Sequence, residues 1–207
     1  MTREEIDTQE WLARGYAAPS PRYLKESVFF RNNTPNSIWV ETGTYTGDTT
    51  DFLSKISSFV YSLEPAAGLF NNATERFKET KNVQIINGSS EEIFPQLIPQ
   101  LSGNINFWLD GHYSAGNTFS GITATPIREE LRIIEKYLIH PINEHGQPTN
   151  QPINQKIGQL TILIDDIRLF NKNYPENYPD LNYLVDWSRM NHLNWYIEND
   201  IFIAKNY

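Results

Sequence analysis

The stretch Val40 to Thr50, VETGTYTGDTT, follows the apolar run "SIWVE" (37–41) and runs into "GDTTDFLSKIS" (47–57), whose apolar spacing is helical. A strand therefore ends on an acid and two spaced glycines before a helix begins, and the rest of the chain repeats that order. "FVYSLE" (59–64) is β-rich, "AAGLFNNATERFKET" (66–80) helical, "VQIIN" (83–87) β-rich, and "SEEIFPQLIPQL" (90–101) a Pro-interrupted helix. "INFWLD" (105–110) reads as a strand and "ATPIREELRIIEKYLIH" (124–140) as an amphipathic helix with Pro near its first turn. "QLTILIDD" (159–166) and the helix "DLNYLVDWSRMN" (180–191) follow; "NWYIEN" and "DIFIAKN" then abut at Asn199-Asp200, as in an antiparallel hairpin. Alternating helices and nearly continuous apolar strands predict an α/β domain: a doubly wound, mostly parallel sheet covered on both faces and finished by an antiparallel C-terminal hairpin.

Residues 1–30 read as a mixed-polarity N-terminal helical cap, broken at "AAPSPRYL", packed on a domain of residues 31–207. With 207 residues, one domain is the economical reading. Mean hydropathy of −0.51 and no apolar run near the ~20 residues a span needs argue against a membrane protein. The first residues, "MTREEIDTQEWLARGY", lack a secretory apolar stretch and the chain has no Cys, so the cytoplasm is the expected compartment. A net charge of −8 argues against a nucleic-acid partner, because that binding rests on Lys and Arg neutralising phosphates. A small-molecule substrate is expected, for a monomer or a homodimer.

Ligands of such sheets bind beyond the carboxyl ends of the strands. "VE", "LE", "NGSS", "LDGH" and "LIDD" all fall there, so five polar tips converge on one rim. Gly43 and Gly47 are spaced Gly-x-x-x-Gly, and Tyr45 stands where a dinucleotide fingerprint needs a glycine for the pyrophosphate. No Gly-Lys-Ser/Thr makes a P-loop. A ligand with a ribose and a charged amino-acid end but no phosphate fits better, and S-adenosylmethionine is one: Glu41 near its ammonium, Gly43 near its carboxylate, Glu64 on the ribose hydroxyls. Ser89, Ser90 and Glu91 can hydrogen-bond an adenine, or serve only as a helix N-terminus. Gly43 and Gly47 can equally be turn glycines, and Glu64 a solvated strand-end acid.

Those residues resemble the class I S-adenosylmethionine-dependent methyltransferases, with Glu41-x-Gly43-x-x-x-Gly47 as motif I, Thr44 and Tyr45 within it, and Glu64 as the second-strand acid. The resemblance covers roughly residues 36–204 and implies a Rossmann-like methyltransferase sheet.

A second constellation lies in "FWLDGHYSAGNT" (107–118) and "ILIDDIRLF" (162–170), where Asp110, Asp165 and Asp166 follow two apolar strands expected to be neighbours. Three carboxylates at a partly buried rim repel unless a cation sits among them, and Mg²⁺ suits oxygen ligands. Here the chain is similar to metal-dependent O-methyltransferases of the macrocin type, whose motifs run Leu-Asp-Gly-Asp and Ile-Asp-Asp, and to small bacterial methyltransferase-like proteins. The resemblance implies Asp110, Asp165 and Asp166 as metal ligands, with Asp110 also beside the cofactor. It puts His112 at the place of a general base that is Asp in that family. Alternatively the aspartates cap nearby backbone N–H groups, Asp166 pairing with Arg168 or Arg128, and His112 is a satisfied loop histidine. His140, His145 and His192 read as structural. The polar stretch 140–159 and the tyrosines of "NKNYPENYPDLNY" (171–183) are candidates for shaping an acceptor pocket. A non-catalytic S-adenosylmethionine-binding module is the main alternative. A nicotinamide-dependent oxidoreductase is disfavoured by Tyr45, and a non-haem iron oxygenase by the want of a second His ligand.

Overall fold

The computed structural model describes residues 1–110, 125–140, 156–171 and 178–207. Five strands run parallel: β1 (Ile38–Thr42), β2 (Phe59–Glu64), β3 (Val83–Asn87), β4 (Gly103–Leu109) and β5 (Ile157–Ile164). β6 (Asn194–Glu198) and β7 (Ile201–Lys205) are antiparallel to each other, and β7 inserts antiparallel beside β5, giving the order β3-β2-β1-β4-β5-β7-β6. The predicted hairpin is present. Asn199 and Asp200 form its two-residue turn at φ +50° and +67°, the left-handed pair that matches the twist of adjoining strands.

Successive strand residues point to opposite faces, and the sequence fills both. Val40, Leu63, Phe107, Leu109 and Ile162 pack with Phe94 of α5 (Ser90–Leu97), Leu131 of α6 (Ile127–Ile134) and Leu184 of α7 (Leu181–Met190). On the other face Trp39, Val60, Trp108, Leu163 and Ile203 pack with Val28 and Phe29 of α2 (Arg22–Asn32) and Leu53 of α3 (Asp48–Ile56). α1 (Arg3–Ala13) begins with a capping box between Thr2 and Glu5 and buries Trp11, and α4 (Ala67–Phe77) leads into β3.

The run predicted as one helix over 124–140 is divided. The α-helix ends at Ile134 and the chain widens into a π-type turn, Glu135–Ile139, closed by the His140 N–H donating to the Glu135 carbonyl at 2.7 Å. Widening the turn lets Leu138 and Ile139 both reach the core, while Glu135 accepts from Trp187 Nε1 at 2.8 Å. β5 starts at Ile157, earlier than the apolar pattern suggested. Among the described residues no helix is long and apolar enough to cross a membrane.

The order of strands reverses at β1, whose neighbours are β2 and β4. Register places Thr42 opposite Leu63 and Leu109, and Leu109 opposite Ile164. The residues that follow, Gly43, Asp110 and Asp165, therefore leave the sheet side by side at its switch point.

Candidate functional site

The motif turn is built by backbone conformation first. Gly43 has φ +87° and Gly47 +83°, values that glycine adopts without strain, and Tyr45 between them is also left-handed at +50°. A Cβ on Gly47 would come to 2.7 Å from Phe77 Cε2, so that position is limited by space as well as by φ.

The turn's own amides face inward. Gly43 and Thr44 donate to the Leu63 carbonyl at 3.0 and 3.1 Å, and Gly47 donates to the Thr44 carbonyl at 2.8 Å. Tyr45 N–H donates to Glu64 Oε2 at 2.9 Å, and Glu64 Oε1 accepts from Ala66 N–H at 2.9 Å. With these four donors engaged, the turn is a poor cradle for a pyrophosphate, which is held by free backbone N–H groups. Glu64 thus ties the turn to β2, and each of its oxygens keeps a lone pair for a further donor.

Glu41 is buried and accepts at one oxygen from Thr50 Oγ1 at 2.5 Å and Ser62 Oγ at 2.6 Å; Ser62 in turn lies 2.6 Å from Thr44 Oγ1. Burial pushes the Glu41 carboxyl up to about 7, with the two hydroxyls opposing and Asp110 and Glu64 reinforcing. In this arrangement Glu41 fastens β1 to β2 and α3 beneath the turn.

The second constellation comes together as the strand order requires. Ligand oxygens of Asp110, Asp165 and Asp166 lie within 4.8 Å of one another. Asp110 N–H donates to Thr42 Oγ1 at 3.1 Å and Asp165 N–H to the Leu109 carbonyl at 3.2 Å, which locks both tips to their neighbours. Asp166 takes a left-handed φ of +57° and begins a short 3₁₀ turn. Cations from elsewhere enter the cluster. Lys25 Nζ of α2 hydrogen-bonds Asp165 Oδ2 and lies 3.9 Å from Asp110 Oδ2, while Arg168 bridges Asp166 and Asp200. Burial works against the Lys25 charge, but the attraction of Asp165 and Asp110 prevails and holds its ammonium above the usual range. Burial raises the Asp165 carboxyl, Lys25 opposes, and Asp110 and Asp166 reinforce the rise.

A cavity of about 470 Å³ opens at this rim, a size suited to a small molecule. Gly43, Thr44, Tyr45 and Thr46 line one part and Asp110, Asp165 and Asp166 another, while Trp11, Tyr16, Arg22, Lys25 and Phe29 of the N-terminal segment wall it. Of the residues predicted for a cofactor, Gly43, Thr44, Tyr45 and Asp110 line this cavity; Glu41, Gly47, Glu64, Ser89 and Ser90 are not part of its lining. Ser89 is the N-cap of α5, its N–H donating to Glu92 Oε2 at 3.2 Å, and Ser90 is buried.

His112, His145, Tyr174 and most of 140–159 lie outside the described residues. Tyr178 packs edge-on to Phe170 at 5.3 Å, and Arg128 lies over the Tyr183 ring at 4.3 Å, so Asp166 pairs with Arg168.

Sequence reasoning missed three side chains near this rim. Lys25 carries no local signal, because its partner Asp165 is 140 residues away. Trp11 sits in a segment read only as a cap. Glu130 of α6 is a charged residue at a position on the apolar face, a signal that was present. It is 1% exposed and its Oε1 has no hydrogen-bond partner among the described residues. Burial pushes it up to about 7, with the Ser90 hydroxyl opposing, Glu91 reinforcing and the Thr42 hydroxyl opposing.

Several solved structures share this architecture. A SAM-dependent methyltransferase from Aquifex aeolicus matches with a TM-score of 0.50 at 14% identity, over 93% of this chain and 94% of that one. Aeropyrum pernix fibrillarin, in complex with natively bound S-adenosyl-L-methionine, matches with a TM-score of 0.51 at 13% identity, over 88% of this chain and 73% of that one. The 23S rRNA methyltransferase ErmE matches with a TM-score of 0.50 at 11% identity, over 89% and 67%. At such identities the likeness is one of fold: the seven-stranded, mostly parallel sheet of this chain is the Rossmann-like sheet of S-adenosylmethionine-dependent methyltransferases. No family model and no curated protein matches the sequence.

Proposed function

We propose that the chain is a methyltransferase that uses S-adenosylmethionine, and that it methylates a hydroxyl of a small molecule with help from Mg²⁺. One observation carries the reading. On a methyltransferase fold, a single cavity of about 470 Å³ runs from the motif turn to the three strand-end aspartates. The inward-facing amides of the turn favour a ligand without phosphate, and the net charge of −8 favours a small acceptor over RNA.

The donor set fits a hard divalent ion: three carboxylates with oxygens inside 4.8 Å, two of them carried on adjacent strand tips. Asp110, Asp165 and Asp166 would hold it. A bound ion would supply fixed positive charge that favours loss of a proton from a nearby hydroxyl, and S-adenosylmethionine supplies an already activated methyl group. The protein's own part is placement. Gly43 to Thr46 shape the cofactor end of the cavity, Glu64 and Glu41 keep that turn in register with β2, and Trp11 and Tyr16 screen the reacting end from water. His112 is assigned from sequence as the group that takes the hydroxyl proton.

Calorimetry with S-adenosylmethionine, with and without Mg²⁺, tests this. Saturable cofactor binding is expected, with S-adenosylmethionine converted to S-adenosylhomocysteine in the presence of hydroxylated acceptors only when Mg²⁺ is added. Binding of a nicotinamide dinucleotide in place of the sulfonium would overturn the assignment, and sulfonium binding with neither turnover nor a metal effect would leave only a binding module.

A further inference from the structure

α2 carries Lys25 into the acidic cluster, and α2 itself is seated by Val28 and Phe29 against the sheet, with Phe29 edge-on to Trp108 at 4.7 Å. The Lys25 ammonium lies 5.2 Å from the centre of the same Trp108 ring, bonds Asp165 and is 3.9 Å from Asp110. Its position is therefore inside the ligand set assigned above to a divalent ion. Two cations cannot share these oxygens without strong repulsion, since the ion would approach Asp165 to ~2.1 Å while the ammonium is in contact with the same carboxylate.

We propose that Lys25 is a tethered cation that competes with a divalent ion for the aspartate triad, so that ion binding and the seating of the N-terminal segment over the cavity oppose each other. This rests on the metal assignment made under the proposed function. The side chain is suited to the exchange: a compact charge on a flexible stem can withdraw from the carboxylates, and the segment then loses the charge contact that ties α2 to the rim. Trp11 and Tyr16, which wall the same cavity, belong to the stretch that would loosen with it. By linkage, whatever Lys25 contributes to the closed segment is subtracted from ion affinity. Removing its charge must therefore tighten ion binding and loosen the segment together.

The test compares wild type with Lys25→Met and Lys25→Gln, the second giving Asp165 a neutral donor should the first fold poorly. Mg²⁺ and Mn²⁺ are titrated by calorimetry, and limited trypsin cleavage after Arg14 and Arg22 reports on the segment. Both variants are expected to bind the ions at least tenfold more tightly than wild type. Saturating Mg²⁺ should speed cleavage of wild type several-fold, whereas the variants should be cut quickly with or without the ion. Wild type that binds Mg²⁺ as tightly as the variants, or whose cleavage ignores the ion, overturns the competition and leaves the metal assignment standing. If none of the proteins binds either ion, the metal assignment falls and the competition falls with it.

Discussion

The tips of β1 and β2 and the tips of β4 and β5 both carry buried carboxylates on one rim, but they are stabilised by different means. Glu41 and Glu64 are held by hydroxyls and amides close to them in the chain: Thr50, Ser62 and Tyr45 of the β1-α3-β2 unit, and Ala66 just after it. Asp165 and Asp166 are held by whole charges, Lys25 from the N-terminal segment and Arg168 with its second partner Asp200. The first arrangement is local, and its hydrogen bonds define one shape for the turn. The second is non-local, drawing one of its cations from 140 residues away in the chain.

The sharpest contrast is expected from Asp165→Ala. It leaves the half-buried Lys25 ammonium without its closest partner and should cost about 2 kcal/mol of stability, in urea unfolding, together with all methyl transfer. A loss no larger than that of a hydroxyl deletion would remove the distinction between the two tips.

Glu41→Gln should act through pH. The carboxyl titrates near 4.5 in an unfolded chain and is raised to about 7 in the fold, so the folded protein binds this proton more tightly. Its contribution is full below pH 4.5 and is lost as pH rises through 7. Thermal or urea unfolding across that window should show wild type losing on the order of 3 kcal/mol that the glutamine variant does not lose. Parallel pH profiles for the two proteins would show that Glu41 is charged and contented where it lies.

Thr50→Ala should cost about 1 kcal/mol, the value of one hydrogen bond to a buried acceptor that keeps its other donor. Arg76→Ala, at an exposed ion pair with Asp48 beside the turn, should change stability by less than about 0.5 kcal/mol. An effect on cofactor affinity from Arg76→Ala without any on stability would move that residue into the site.

What the sequence made legible follows the same division. Strand-end acids announce themselves, because an apolar run followed by Asp or Glu has few other readings, and the neighbourhood of β4 and β5 follows from the order expected of the fold. Gly43 and Gly47 were readable as a turn, and their positive φ values bear that out. The inward direction of Glu41 was not readable, since Thr50 and Ser62 are unremarkable hydroxyl residues until the helix and strand pack. Lys25 and Asp200 were beyond reach for a plainer reason: ion pairs across 140 and 32 residues leave no spacing to recognise. The division of the 124–140 run reflects tertiary demand, with Glu135 drawn to Trp187 on another helix.

The placement of α2 has a practical corollary for anyone redesigning the chain. A truncation begun at residue 34 would retain every strand, but it would strip the cover from Trp39 and Trp108 and delete the ammonium that meets Asp165. A chimera that swaps only those first 33 residues would instead exchange the roof and the resident countercharge in a single graft, leaving the motif turn untouched.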